Sequence, residues 1–308
     1  MNRRRLLALS LGLAPAAQAR TRFDYSRIAV LTDEVATSPE AAIAFARQYR
    51  LRFVEVRDRP GDRRPYWRLP EQELRDTARA FRDAGLSVTF LNSSLCKYTL
   101  PGTDPVRRRA GESDEQRARR IASDAKRFDA RFDELAQVVR AARILGAPQA
   151  RVFAFNRVAD PPSLYPKIAA VISELSRAAE KEGVRLLLEN EGSCNVHTSA
   201  ECAAMLKLLP SSVGLNWDPQ NEYSPEARPF PDGYALLPKK RLRNVQIKAR
   251  GIVPEFNQPV DWPGIFEALA RDGFKGHAGL ETHVNDQIRI EAAHKSMREL
   301  QRLLNAVS

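Results

Sequence analysis

GHAGLETH, residues 276–283, closes a short apolar run on a carboxylate: Gly279-Leu280 fit a covered strand, Glu281 stands where that strand should end, and His283 follows two residues later. One such glutamate is weak evidence, so the question is whether other segments repeat the pattern. Seven do, at the level of the strand: RIAVLT (27–32), RFVEVR (52–57), LSVTFLN (86–92), ARVFAFN (150–156), VRLLLEN (184–190), VGLNWD (213–218) and NVQIKA (244–249), with HAGLET (277–282) as the eighth. Most are near-continuous apolar runs, as strands covered on both faces should be. Helix-like segments separate them. SPEAAIAFARQYR opens with Ser38 as N-cap and Pro39 at the first helical position. FDELAQVVRAARILGA sets Phe132, Leu135, Val138, Val139, Ala142 and Leu145 on one stripe, with Gly146 as its cap, and VDWPGIFEALARDGF ends on Gly273. Eight strand–helix units joined by right-handed crossovers predict an α/β fold, a (β/α)8 TIM barrel. An open doubly wound sheet is the alternative, but no glycine-rich phosphate loop follows the first strand. Residues 97–131 are too long for one connection; polar, Arg-rich and opening near LPGTDP, they read as an excursion over the barrel mouth that then becomes a helix.

Barrel enzymes place their chemistry at the C-terminal ends of strands. Here those ends carry Asp33-Glu34, Arg57 after Glu55, Asn92, Glu189-Asn190-Glu191, Asp218 with Asn221, Gln246 with Lys248, and Glu281 with His283. Buried carboxylates without partners are costly, so a converging set implies a cation or a dense hydrogen-bond network. Glu189, Asp218 and Glu281, with the amide oxygen of Gln246, form an oxygen-rich set suited to a hard divalent ion. Lys248 follows Gln246 by two residues, so a strand points both to one face. Plainer readings stand beside these. Asp218 before Pro219 starts a turn. Glu189 and Glu281 pair with Lys248 and Arg57 as structural ion pairs. Lys248 snorkels from the edge of the core. His197 precedes a helix N-cap at Thr198 or Ser199, His283 is a surface-loop residue, and Asp33 and Glu34 lead a helix. His277 and His294 are assigned to structure or surface.

Residues 1–19, MNRRRLLALSLGLAPAAQA, read as an export signal: Arg3-Arg4-Arg5, an apolar stretch too short to span a bilayer, and the small-x-small site Ala17-Gln18-Ala19. The arginines suggest the twin-arginine route. Cleavage leaves residues 20–308 as one TIM-barrel domain, located in the periplasm or outside the cell, with no stable membrane insertion. The formal charge of +11 falls to +8 without the three signal arginines. The remaining basic residues are interleaved with acids along helices, which argues against nucleic-acid binding, although a basic face favours anionic substrates. Cys96, Cys194 and Cys202 form no disulfide framework and are read as free thiols.

LLLENEG, VGLNWDPQN, NVQIKA and DGFKGHAGLETH resemble the sugar phosphate isomerase/epimerase superfamily with its xylose isomerase-like barrel, over most of residues 27–305. The resemblance implies a divalent metal on Glu189, Asp218, Gln246 and Glu281. Gln246 departs from the histidine usual there; its neutral carbonyl oxygen shifts preference toward manganese or magnesium, with zinc or cobalt as alternatives. It further implies Glu189 and Glu281 as an acid–base pair acting through an enediolate, helped by Lys248, on a small carbohydrate. Arg57, Asn92, His197, Asn221 and His283 complete the expected site as substrate contacts. The function implied is a metal-dependent sugar isomerase or epimerase. A lyase or hydrolase of keto-sugars or glycosides acting by β-elimination, and a non-catalytic carbohydrate-binding protein, are the alternatives. A multi-zinc endonuclease on the same barrel needs more histidines than the four present. Homo-oligomerisation is left open.

Overall fold

The computed structural model describes residues 23–224 and 228–306; the export signal expected over residues 1–19 lies outside them. Eight parallel strands close into a barrel in sequence order: β1 Ile28–Leu31, β2 Phe53–Val56, β3 Ser87–Leu95, β4 Gln149–Val152, β5 Arg185–Glu189, β6 Gly214–Trp217, β7 Leu242–Lys248 and β8 His277–Glu281. β8 seals the ring by pairing with β7 (Gln246 opposite Gly279, Lys248 opposite Glu281) and with β1 (Val30 opposite Leu280). Every strand read from the sequence is present, within a few residues at each end.

The outer ring consists of α1 Pro39–Gln48, α2 Glu71–Asp83, α3 Asp114–Asp129, α4 Arg131–Leu145, α5 Tyr165–Lys181, α6 Ser199–Leu208, α7 Trp262–Arg271 and α8 Arg289–Ala306. Local chemistry starts and stops them. Ser38 Oγ accepts the Ala41 N–H at 3.1 Å, and Pro39 opens α1. Gly146 ends α4 in the left-handed region, at φ 76°. The stripe of α4 packs as its spacing demands, except that Phe132, at the first turn, is 43% exposed. The β6–β7 connection departs from the eightfold pattern. Among its described residues it contains only short helical turns, such as Pro219–Glu222 and Tyr234–Leu236. Prolines 219, 225, 229, 231 and 238 explain this, because each removes a helical donor and restricts the residue before it.

Side chains alternate along each strand between a helix-facing layer and the barrel lumen. On β2, Val54 and Val56 join the apolar core while Glu55 is held by polar side chains from other strands. That division positions the site: the outer layer supplies stability by apolar burial, and the lumen is left free to carry polar groups. The excursion becomes a helix as expected, α3, tied to the end of β3: Thr99 N–H donates to Asp124 at 2.9 Å, and Arg127 reaches Ser94 at 3.0 Å.

Candidate active site

The lumen is polar from its middle to its mouth. Glu55 is fully buried and accepts three amide hydrogen bonds at 2.8 Å, from Asn92, Asn244 and Gln246. Asn244 also donates to Asn216 Oδ1 at 3.1 Å, and Asn216 donates to Glu189. A continuous chain of amides thus runs from the mid-barrel carboxylate to the carboxylate at the end of β5. Burial pushes the Glu55 carboxyl upward, with the three amides acting against it. Gly279 makes this packing feasible: a Cβ there would overlap the Glu55 carboxylate. Gly279→Ala is therefore expected to destabilise by about 1–3 kcal/mol or more, read as a lowered thermal midpoint. An unchanged midpoint would show that Glu55 does not point at β8.

At the mouth, three carboxylates each face a side-chain cation. Arg57 Nη1 donates to Glu281 Oε1 at 2.7 Å, its Nη2 donates to both Asp33 and Glu34 at 2.6 Å, and its Nε adds a bond to Asp33 at 3.0 Å. Glu34 in turn accepts from Thr282 Oγ1 and the His283 N–H, tying the end of β1 to the end of β8. Arg151 spans Glu189 at 3.2 Å and is fixed by the carbonyls of Ser93 and Asn92. Lys248 Nζ lies 3.0 Å from Asp218 Oδ2 and donates to Asn221 Oδ1. Asp218 caps the turn that follows β6, accepting the Asn221 N–H at 3.0 Å.

The two glutamates sit in opposed environments. Burial raises Glu189 to about 7, reinforced by Glu281 and Asp218 and opposed by Arg151. Glu281 is also buried, but Lys248, Arg57 and Arg151 outweigh burial and hold it at about 2. Asp33 is raised to about 6 by burial, against the pull of Arg57.

The expected site residues divide accordingly. Arg57, Glu189, Asp218, Asn221, Gln246, Lys248 and Glu281 belong to the barrel mouth or the lumen beneath it. Asn92 lies deeper, holding Glu55. His197 stands against the Asn221 carbonyl, with Nε2 at 2.7 Å, and precedes the N-cap Thr198. His283 is largely exposed, its Nδ1 3.9 Å from Glu281. Arg151 is a site residue that strand-end spacing does not reveal. Its signal was a lone guanidinium inside an apolar strand. The three cysteines are free and buried.

In chemistry, the four expected metal ligands partly suit a hard cation: Gln246 Oε1 is buried without a hydrogen-bond partner, and Asp218 Oδ2 has only its ion pair. In arrangement they do not fit one. Glu189, Asp218 and Glu281 are turned to Arg151, Lys248 and Arg57, and among the described residues no three His, Cys, Asp or Glu side chains are grouped to hold a metal ion. The ring is neutralised from within.

A barrel closed in this order, with carboxylates and amides at its C-terminal strand ends, is the frame of a TIM-barrel enzyme. The profile of the xylose isomerase-like TIM barrel family matches residues 43–306, and the chain belongs to that family. Among curated proteins none matches. Solved structures share the fold. The IOLI protein with a bound zinc atom superposes with a TM-score of 0.67 at 16% identity, covering 91% of this chain and 98% of that one. L-ribulose 3-epimerase gives 0.61 at 17%, covering 92% and 94%. A xylose isomerase-like TIM barrel protein from Mycobacterium smegmatis in complex with magnesium gives 0.64 at 15%, covering 91% and 98%.

Proposed function

We propose that the chain is a sugar isomerase or epimerase that moves a proton between Glu281 and Glu189 across an enediolate. The observation that carries this is geometric: Glu189 and Glu281 end β5 and β8 at one barrel mouth, each held by its own guanidinium, Arg151 and Arg57, with burial pushing Glu189 up while Lys248 and Arg57 hold Glu281 down. Environments that separate two carboxyls in this way define an acid and a base. In the active form the pair holds one proton, on Glu189. Glu281 is then the base that removes the proton beside a ketose carbonyl, and Glu189 is the acid that returns one from the other side. Lys248, opposite Glu281 across the β7–β8 pairing, supplies fixed positive charge for the oxygen that becomes anionic. Arg57 and Arg151 aim the two carboxylates.

No step here runs through a metal. The zinc and magnesium of the neighbouring structures support a divalent ion as a competitor of Lys248 for Asp218, with manganese or magnesium suited to the oxygen donors. The substrate is a small carbohydrate, and residues 1–19 support a periplasmic or extracellular location.

The test is exchange. Incubation with ketoses in deuterated water is expected to place one deuterium at the carbon beside the carbonyl, with formation of the isomer or epimer. No exchange with any ketose would end the reading, and loss of a substituent would turn it to β-elimination. The pH profile follows with its sign. The active pair holds one proton, so kcat/KM stays level through the acid range, falls as pH rises through about 7, and does so equally in both directions. A rate rising above that pH would mean that Glu189 must be ionised for every turnover.

A further inference from the structure

Beside the barrel mouth the excursion encloses a cavity of about 560 Å³ lined by Lys97, Arg107, Arg108, Arg109, Arg120 and Arg127. Only one lining residue is acidic: Asp124, whose carboxylate accepts the Thr99 N–H at 2.9 Å. Four of the six cations are matched by acids: Lys97 by Glu191, Arg108 by Asp114, Arg120 by Glu112 and Arg127 by Glu134. Arg107 and Arg109 make no side-chain ion pair or hydrogen bond among the described residues, although Arg109 attracts the nearby Glu112, and both are exposed. Arg107 has no acid, and Arg109 shares Glu112 with Arg120, so the cations of the recess outnumber the acids that face them and leave it electropositive.

The recess adjoins the candidate active site. Lys97 Nζ stands 4.5 Å from the centroid of the Phe153 ring, and Arg151, the residue that holds Glu189, packs on the same ring at 4.7 Å. Glu191, the partner of Lys97, is two residues beyond Glu189. Glu191 also lies close enough to Lys248 for their charges to interact, so a ligand reaching from the mouth past Glu191 enters a space built for negative charge. Guanidiniums bind carboxylate, sulfate and phosphate oxygens as paired donors.

We infer that this recess binds an oxyanion substituent of the substrate, so that the enzyme acts on acidic sugars. This rests on the sugar reading of the neighbouring site and narrows it. Titration calorimetry with a hexuronic acid, a hexose phosphate, the parent neutral hexose and inorganic phosphate tests it at low and at moderate salt. Acidic sugars are expected to bind at least about tenfold more tightly than the neutral one, with affinity falling as salt rises. The double variant R107A/R109A, changed only at exposed and unpaired positions, should lose about that factor for acidic sugars and nothing for the neutral hexose. Preference for the hexuronic acid or for the hexose phosphate identifies the oxyanion. Equal binding of acidic and neutral sugars, or an unaffected double variant, overturns the inference. Binding of inorganic phosphate without any acidic sugar overturns it as well. Deuterium exchange with a neutral ketose, measured separately, decides the isomerase reading on its own: exchange without acidic preference sinks only this inference, and acidic preference without exchange sinks only the reaction.

Discussion

Glu281→Gln is expected to abolish interconversion of the two sugars, lowering kcat by roughly 10²–10⁴-fold, while leaving the protein folded. The amide fills the space of the carboxylate but cannot take a proton. The fold survives because Arg57 keeps Asp33 and Glu34 when it loses Glu281, so no guanidinium is stranded. The variant also has a signature that a merely structural role would not produce. If Glu281 and Glu189 face opposite sides of the substrate, Glu189 still exchanges the proton of the one epimer that presents it there. Glu281→Gln should then show deuterium exchange into one epimer and none into the other, and Glu189→Gln the reverse. Glu189→Gln is similarly tolerated, because Arg151 retains the carbonyls of Ser93 and Asn92. Rates like those of the unaltered protein in either variant, or exchange lost equally from both epimers in each, would remove the two-glutamate mechanism.

The barrel was legible because most of its strands are apolar runs bounded by turn or helix signals. The β6–β7 connection was not, since the eightfold rhythm suggested a helix where five prolines forbid a long one. The carboxylates Glu189, Asp218 and Glu281 were legible for the same reason as the strands: each stands where an apolar run ends. What the sequence hid was pairing. Glu189 was weighed against Lys248 and Arg57 as ion-pair partners, but the structure gives it Arg151, on the adjacent β4. The stagger of neighbouring strands decides which side chains share a layer of the lumen, and one-dimensional spacing does not contain it. Glu55 shows the same limit. It was visible inside RFVEVR, yet its partners Asn92, Asn244 and Gln246 come from β3 and β7, up to 191 positions away. Gln246, read as a metal ligand, donates its amide to that carboxylate instead, and only its oxygen is left unpaired.

Lys248 is the residue on which stability and catalysis are most tightly joined, and two variants separate them. Lys248 and Asp218 are both buried, at 4% and 0% exposure, with Nζ 3.0 Å from the carboxylate. Lys248→Met removes one partner of a buried pair, a change that costs about 3–5 kcal/mol because the other charge is left uncompensated. Asp218 can escape part of that cost by taking a proton. Burial already raises its affinity for one, and losing Lys248 raises it further. A carboxyl whose folded pKa is raised costs stability progressively as pH rises from its unfolded value through its folded one, and the loss is complete above that. The Lys248→Met variant should accordingly be more stable in acid and lose stability as pH rises. Adding Asp218→Asn removes the stranded charge, so the double variant should recover most of the thermal midpoint and its flat pH dependence. Activity should not recover: both variants lack the fixed cation proposed for the enediolate oxygen, a loss of about 10²–10³-fold in kcat. The single variant, with Asp218 free and Gln246 Oε1 still unpartnered, should also bind manganese by calorimetry more tightly than the unaltered protein does. Equal and tight manganese binding by both would show that the carboxylates converge on a metal with Lys248 in place. A double variant that regains turnover along with stability would make Lys248 a structural lysine and leave the developing charge without its partner.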